Sequence, residues 1–289
     1  MDRILTDIKR LKVQGARNVA KAGLDFVERS MRSYDGRSKD ETQKQLLEAI
    51  NRVIGIRPTE PMLFNALSRV AVGFDKATVR TPSAAKRLIA SLCARQRREI
   101  DAAARRVAVN GAAEIHNGDV IMTHCHSSTL MEAFAEAKRK KRAFSVIATE
   151  TQPLLQGVKT SKELLKMGIP VIYCEDSAMA YAMTNATKAM SGCDAILPDG
   201  SVVNKIGTYL MALAAQEFGK PFIVLGETLK MTDSVEIEQR RPSEIVNPRR
   251  VRGASIINPA FDITPARLVT AIFTERGRIV PGYKRPIGT

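Results

Sequence analysis

A cysteine between two histidines is the first feature of this 289-residue chain that could support chemistry. Cys125 lies in the run THCHSS, between an apolar stretch typical of a strand and the start of a predicted helix. The positive end of a helix dipole favours a thiolate, and nearby backbone N–H groups and hydroxyls bind phosphate or carbonyl oxygens. We therefore expect a reactive thiolate, with a buried thiol in a tight turn as the alternative. His124 and His126 alternate with Cys125, so a metal site there would need further ligands that the sequence does not supply.

Further polar side chains follow predicted strands later in the chain. Gln152 lies in TETQP, a segment that a simple loop explains equally well, and Glu227 lies in GET. Asp194, in GCDAI, stands beside an apolar strand, where a carboxylate is costly unless it is hydrogen-bonded or functional. Asn204 and Lys205 open a predicted helix, and a cation at a helix N-terminus opposes the dipole. That placement indicates a bound anion.

The elements that must position these side chains alternate between strand and helix from residue 118 onward. The predicted strands are Asp119–Thr123, Phe144–Thr149, Val171–Tyr173, Ala195–Leu197, Phe222–Leu225 and Val269–Phe273. The predicted helices between them are Ser128–Lys141, Ser161–Met167, Ala178–Met190 and Lys205–Phe218. Such alternation predicts an α/β fold with a Rossmann-like, doubly wound parallel sheet. Because ligands bind outside the carboxyl ends of such strands, we expect the polar side chains to meet at one edge of the sheet.

The preceding part of the chain shows only helical periodicity. Helices are predicted over Lys39–Ile54, Pro61–Val72 and Pro82–Val109, with further helical spacing of apolar residues before them. We therefore expect an all-helical N-terminal domain over residues 1–117 and a Rossmann-like catalytic domain over residues 118–289.

Net charge, aromatic content and cysteine spacing indicate which partners and which cellular location to expect. The net charge is +15, of which residues 1–117 carry +10, so the surface attracts anions. The scarcity of aromatic residues and the absence of a recognisable RNA- or DNA-binding motif argue against nucleic acid as a partner. The four cysteines form no C-x-x-C pair, and no stretch approaches the roughly 20 apolar residues of a membrane span. With no secretory h-region at the N-terminus, we expect a cytoplasmic protein without a membrane partner.

Six motifs occur in order along residues 118–277. They are GDVIMTHCHSSTL, TETQP followed by QG, GCDAILPDGSVVNKIGT, GET, NPAFDITP and FTERG. This set resembles the superfamily that unites the alpha, beta and delta subunits of initiation factor 2B with methylthioribose-1-phosphate isomerase and archaeal ribose-1,5-bisphosphate isomerase. The short helical N-terminal part is most similar to the last of these. The resemblance implies the Rossmann-like fold and conversion of ribose 1,5-bisphosphate to ribulose 1,5-bisphosphate.

The resemblance also implies roles for particular residues. Cys125 and Asp194 match the catalytic pair of the isomerases, a pair that the initiation-factor subunits typically lack. The residues matching substrate-binding positions are Gln14, Gly15, Ala16, Arg17, Arg57, Ser127, Gln152, Asn204 and Lys205. Two of these depart from the family pattern, since Gln14 and Gln152 stand where arginines are usual. Each change removes a guanidinium that could hold phosphate through two hydrogen bonds.

A carboxylate and a thiol with separated pKa values can serve as acid and base near neutral pH. In one route Asp194 handles the ring-oxygen and hydroxyl protons while Cys125 moves the proton between C2 and C1. In the other route a hydride shifts, and both groups handle only oxygen-bound protons. Neither route needs a metal or a nicotinamide cofactor, and the first predicted strand is not followed by G-x-G-x-x-G.

The resemblance leaves two alternatives open. One is an isomerase of another sugar 1-phosphate, such as methylthioribose 1-phosphate. The other is a non-catalytic regulatory subunit that binds initiation factor two through a basic segment, although a solvated surface explains those arginines as well: Arg240, Arg241, Arg249, Arg250 and Arg252. In either case the family implies a homo-oligomer, a dimer or a hexamer built from dimers.

Overall fold

The computed structural model describes residues 2–36 and 38–281. The chain divides into two compact units, residues 1–103 and 104–289. This division falls within one long helix, and the functional boundary at residues 117/118 stays a prediction. The last eight residues of the predicted catalytic domain lie outside the described residues.

The first unit is helical, as the periodicity predicted. It contains α1 (Arg3–Lys9), α2 (Ala16–Arg32), α3 (Lys39–Ile54), α4 (Pro61–Asp75) and the beginning of α5 (Pro82–Ala113). Local chemistry sets some of these boundaries: the Ser38 hydroxyl accepts a hydrogen bond from the backbone N–H of Glu41 at the start of α3. Pro61 begins α4, where a missing N–H has no consequence. The apolar side of α2 and α4 is buried, including Leu24, Leu63 and Leu67.

The second unit is built on a seven-stranded sheet in the order β10-β9-β7-β4-β1-β2-β3. Its strands are β1 (Val120–Thr123), β2 (Ser145–Thr149), β3 (Val171–Cys174), β4 (Lys188–Gly192), β7 (Phe222–Leu225), β9 (Ala271–Thr274) and β10 (Gly277–Ile279). All neighbours pair in parallel except β10 with β9. The chain moves outward through β2 and β3 on one side of β1 and then returns to β4 on the other. The order therefore reverses between β1 and β4, where such sheets bind ligands.

Helices cover both faces of this sheet. They are α6 (Ser128–Arg139), α7 (Gln156–Lys166), α8 (Met179–Met183) and α9 (Thr208–Glu217). Successive strand residues point to opposite faces, so Ile121 packs in one hydrophobic cluster with α6 and α7. Met122 packs in the other cluster, with α8 and α9. The doubly wound α/β fold is confirmed.

A second sheet, three-stranded and antiparallel, begins shortly after the carboxyl end of β4. It pairs β5 (Ala195–Ile196) with β6 (Val202–Lys205), and β6 with β8 (Phe261–Thr264). The strand predicted over Ala195–Leu197 therefore belongs to this small sheet, because its partner runs back along it after a tight turn at residues 198–201. Its separate existence was not predicted.

Two predicted helices were wrong in part. The helix predicted over Ala178–Met190 ends at Met183, and residues 188–192 form β4 in the middle of the main sheet. Alanine and methionine favour helix locally, but pairing with β1 and β7 overrides that preference. The helix predicted from Lys205 begins at Thr208, after Gly207 adopts a positive φ of 103°. Lys205 is instead the last residue of β6, so it is not a helix N-terminal cation.

Among the described residues, none of the helices combines the length and apolar character that a membrane crossing requires.

Candidate active site

The loop after β1 holds Cys125 in a constrained backbone conformation. Its φ is 67°, in the left-handed region that residues with a Cβ seldom adopt. Its backbone N–H donates to the Thr151 hydroxyl over 2.8 Å, and the Thr160 hydroxyl donates to its carbonyl over 2.9 Å. Two threonines from outside the loop thus fix the peptide groups on either side of the thiol.

Of the thiolate and the buried thiol that the sequence left open at Cys125, the structure favours the thiol. Burial raises the pKa of the Cys125 thiol to about 11, although the positive charge of Lys205 and the backbone N–H of His126 lower it. The negative charges of Asp194 and Asp176 act in the same direction as burial. The thiol is therefore protonated at neutral pH, because removal from water outweighs the favourable dipoles.

The two histidines beside Cys125 serve different neighbours. The buried His124 contacts the Thr149 hydroxyl through Nδ1 at 2.6 Å and the Ile206 carbonyl through Nε2 at 2.7 Å. A carbonyl can only accept, so the proton lies on Nε2 and Nδ1 accepts from Thr149. Burial lowers the pKa of His124, which favours this neutral form. His124 therefore ties the loop after β1 to the segment after β6.

His126 turns instead toward α7. Its Nδ1 lies 3.2 Å from the Thr160 hydroxyl and its Nε2 lies 3.8 Å from Glu163. Across residues 2–36 and 38–281, no group of three or more His, Cys, Asp or Glu side chains is placed to hold a metal ion.

Asp194 follows β4, the strand next to β1. Its backbone N–H donates to the Val203 carbonyl over 2.8 Å, which fixes it between the large and small sheets. A Cβ on Gly192 would collide with the Ser127 side chain, so the loops after β1 and β4 meet closely. Ser127 also caps α6, since its hydroxyl accepts from the backbone N–H of Leu130 over 3.3 Å. The structure thus brings Cys125, Ser127 and Asp194 together at the strand-order reversal.

Asn204 and Lys205 reach the same place from β6. The buried Asn204 amide donates to the Thr208 hydroxyl over 2.9 Å. The Lys205 ammonium lies 5.2 Å from the centre of the Phe261 ring, and its charge lowers the pKa of Cys125 and of His124. Lys205 is thus a cation of this site although its secondary structure was mispredicted.

Sequence reasoning missed Asp176, which organises the loop after β2. Its two carboxylate oxygens accept from the backbone N–H groups of Thr151 (2.8 Å) and Gln152 (2.7 Å). It follows β3 by two residues, so the rule that selected the other carboxyl-end residues could have found it. The Gln152 side chain itself is exposed at this edge.

A buried ion pair lies behind Asp194, and its cation was also missed. Lys230 approaches Glu227 to 2.8 Å, and the Thr129 hydroxyl donates to the same carboxylate over 2.8 Å. The Lys230 ammonium holds the pKa of Glu227 below its usual range, and the Glu227 carboxylate raises that of Lys230. The charge of Asp194 also raises the pKa of Lys230, so this pair is electrostatically linked to the site.

The remaining candidate residues lie in the first unit. Gly15, with a φ of 84°, precedes α2, which begins with Ala16 and Arg17. The Gln14 amide donates to the Leu11 carbonyl over 2.9 Å, and Arg57 pairs with Glu60 at 2.6 Å. Their role in phosphate binding stays a prediction.

Comparison with known proteins identifies one family, whose similar members carry different activities. The model of the Initiation factor 2 subunit family matches residues 12–281. A ribose 1,5-bisphosphate isomerase of Thermococcus kodakarensis is 35% identical, covering 97% of this chain and 90% of the relative. A 5-deoxyribose 1-phosphate isomerase of Moorella thermoacetica is also 35% identical, covering 97% of this chain and 86% of the relative. The crystal structure of the Pyrococcus horikoshii translation initiation factor eIF-2B superposes with a TM-score of 0.84 at 31% identity, covering 96% of both chains.

Proposed function

This chain belongs to the Initiation factor 2 subunit family, and on that premise we propose that it is a sugar-phosphate isomerase acting on ribose 1,5-bisphosphate. The product is ribulose 1,5-bisphosphate, and the acid–base pair is Cys125 and Asp194. One observation carries the proposal: these two side chains follow β1 and β4, the neighbouring strands at which the sheet order reverses. The charge of Asp194 acts directly on the pKa of the thiol, so the two groups share one environment.

The raised pKa of Cys125 decides the order of the proton transfers. A protonated thiol cannot accept the C2 proton until it has released its own. Cys125 therefore gives its proton to the ring oxygen while the bond from that oxygen to C1 breaks. The resulting thiolate, stabilised by Lys205 and the His126 N–H, then takes the proton from C2 to form an enol.

The second half of the reaction restores the enzyme. Cys125 returns the proton to C1 while Asp194 removes the proton of the C2 hydroxyl, and the C2 carbonyl forms. A proton then passes from Asp194 to Cys125. The overall change moves one hydrogen from C2 to C1 and one from the C2 hydroxyl to the former ring oxygen. No external oxidant or reductant enters this balance.

A hydride shift from C2 to C1 would give the same products with Cys125 and Asp194 handling only oxygen-bound protons. Turnover in deuterated water tests for the proton route. Deuterium at C1 of the product supports proton transfer through Cys125, because the proton held on the thiol has then exchanged with solvent. Full retention of the substrate hydrogen at C1 fits both the hydride shift and the return of the same proton by Cys125.

Turnover of ribose 1,5-bisphosphate by purified protein tests the function. Cys125→Ser and Asp194→Asn should each lower kcat by about a thousandfold or more, because each removes a proton carrier. Cys174→Ser is the matched control: Cys174 is also half-buried at a strand end, and burial raises its pKa. It should retain wild-type turnover. An inactive wild type, tested also on 5-deoxyribose 1-phosphate and methylthioribose 1-phosphate, would contradict the isomerase.

Two exposed glutamines bear on the choice among these substrates. Gln14 and Gln152 stand where the resemblance implies arginines, and the Gln14 amide already bonds within its own turn. A substrate with a second phosphate loses most from those changes. Measuring kcat/KM for ribose 1,5-bisphosphate against 5-deoxyribose 1-phosphate therefore decides whether the C5 phosphate is recognised.

One observation favours the alternative of a regulatory subunit. In the part of the chain that the structure describes, the guanidinium groups of Arg241, Arg249, Arg250 and Arg252 are exposed and outside the observed ion pairs. Arg240 instead pairs with Glu238 and Glu244. If the wild-type protein turns over no sugar phosphate and pulls down subunits of initiation factor two, the regulatory-subunit function is supported.

A homo-oligomer, either a dimer or a hexamer of dimers, accompanies the isomerase in this proposal. Light scattering across a concentration series measures it directly, and a single monomeric mass of 31.7 kDa would refute it.

A further inference from the structure

A third carboxylate, Asp262, lies beside the segment that carries Asn204 and Lys205. Asp262 is in β8 and pairs in register with Asn204 of β6. Its Oδ2 accepts from the backbone N–H of Gly207 over 2.7 Å and of Tyr209 over 3.1 Å. Its Oδ1 is buried and has no hydrogen-bond partner within the described residues. One oxygen thus caps the start of α9, and the other carries no structural bond.

The turn that Asp262 holds is fixed from the opposite side by His124. The His124 ring bonds to the Ile206 carbonyl, and a Cβ on Gly207 would lie 2.7 Å from His124 Nε2. Residues 206–209 therefore fit between the loop after β1 and the Asp262 carboxylate. Lys205 directly precedes this turn and pairs in register with Phe261 of β8.

Stability alone does not account for a carboxylate here. Burial raises the pKa of Asp262 to about 6, although the backbone N–H groups of Gly207 and Tyr209 and the Lys205 charge lower it. An aspartate in an unfolded chain titrates near 4, roughly two units lower. The native protein thus holds this proton more tightly, and ionisation above pH 6 opposes folding. An asparagine could accept from the same amides without burying a charge.

We propose that Asp262 is a positioning residue for the isomerisation, whose ionised carboxylate holds the turn at residues 206–209 and keeps Lys205 beside Cys125. This inference rests on the proposed function. A charged acceptor binds the two amides more strongly than a neutral one. Its negative charge also attracts the ammonium that stabilises the Cys125 thiolate. Protonation removes both effects, so the reaction acquires an acid limb.

The other titratable groups facing this turn do not explain such a limb. From β6, Lys205 contributes a positive charge that lowers the pKa of Asp262. From the loop after β1, His124 has a pKa lowered by burial and stays neutral with its proton on Nε2. The start of α9 contributes the backbone N–H groups of Gly207 and Tyr209.

The kinetic test compares Asp262→Asn with Asp199→Asn. Asp199 lies in the turn between β5 and β6 of the same small sheet and accepts from the backbone N–H and hydroxyl of Ser201 over 2.8 and 2.7 Å, so it serves as the control cap. We expect the kcat/KM of wild type to decrease as the pH falls below about 6. The kcat/KM of Asp262→Asn should be about tenfold lower than that of wild type at pH 7.5 and should show no such decrease at acid pH. Asp199→Asn should keep the wild-type profile. If kcat/KM of Asp262→Asn decreases at acid pH as it does in wild type, the proposal is overturned.

Two measurements test the inference without any substrate. The melting temperature of Asp262→Asn at pH 7.5 should equal or exceed that of wild type. A lower melting temperature, which a purely structural cap would give, would overturn the proposal. Hydrogen exchange of the peptide covering residues 205–210, corrected for intrinsic rates, should accelerate in wild type below about pH 6. Asp262→Asn should show no such step. If wild type turns over no sugar phosphate, the proposed function fails, while a missing exchange step refutes the role of Asp262 itself.

Discussion

Two carboxylates of the second unit, the buried Glu227 and the half-buried Asp262, face opposite electrostatic situations. Glu227, after β7, has a cation at 2.8 Å and a hydroxyl donor at 2.8 Å, and its pKa is lowered despite full burial. Asp262, in β8, accepts from two backbone N–H groups but has one oxygen without a partner, and its pKa is raised. Burial acts in the same direction on both groups.

The difference between them lies in the distance of the nearest cation. Lys230 contacts Glu227 directly, so the pair retains its charges across the pH range of the cell. Lys205 acts on Asp262 only through space while also acting on Cys125. A buried carboxylate with a shared, distant cation can change protonation near neutral pH, and one with its own cation cannot. The first kind suits proton-dependent function, and the second kind suits a fixed framework.

The largest expected effect on stability comes from Glu227→Gln, which removes the carboxylate that pairs with Lys230. Lys230 would then remain buried without its counter-charge, and breaking such a pair costs about 3–5 kcal/mol of stability. Urea unfolding at pH 7.5 measures the change in the free energy of unfolding. A loss under about 1 kcal/mol would show that the pair is not the framework described here.

A smaller effect of opposite sign is expected for Asp262→Asn. Because the native pKa of Asp262 is raised to about 6, its contribution to stability is present below the unfolded pKa and is lost as pH rises through 6. The variant should therefore gain on wild type between about pH 4 and pH 7, by roughly 1–3 kcal/mol. Unfolding curves across that range test the slope. A difference that is constant with pH would contradict the raised pKa.

A third, smaller effect concerns the shared cation. Lys205→Met should raise the pKa of Cys125 by about one unit, and the rate of thiol alkylation should then fall about threefold at pH 8. Mass spectrometry of both modified peptides supplies an internal control. The pKa of Cys174 responds to Asp176 and Glu175, not to Lys205, so its labelling rate should stay constant. Equal changes at both cysteines would indicate general loosening instead.

The smallest effect is expected for Asp199→Asn, a cap without a functional partner. Hydrogen bonds from Ser201 hold the pKa of Asp199 below its usual value, so its contribution is present at neutral pH and lost as pH falls. Its carboxylate is exposed, and the loss at pH 7 should stay below about 1 kcal/mol. A larger loss in urea unfolding would remove it as a matched control for Asp262.

The parts of the site that follow the main sheet were predictable from sequence. Cys125 follows an apolar run with clear strand character, and the carboxyl-edge rule places such residues together. Asp194 was selected by the same rule but next to the wrong strand, since the segment 178–190, which leads into β4, is rich in alanine and methionine and resembles helix locally. The ordered motifs corrected for that error because they do not depend on secondary structure.

The protonation states were not predictable, because they depend on desolvation by residues distant in sequence. The dipole argument gave a thiolate at Cys125, whereas its burial gives a thiol. Asp262 carried no local signal in NPAFDITP, because its partners Gly207 and Tyr209 lie more than fifty residues earlier.

By itself the sequence determined the helical first part, the alternation that builds the doubly wound sheet, and the family, since periodicity and ordered motifs are local properties. Only the tertiary structure decided that residues 188–192 pair as a central strand, that Lys205 ends a strand, and which buried carboxylate has a cation of its own. The physical reason is that strand pairing and desolvation are set by neighbours in space, whose identity a local stretch of sequence does not record.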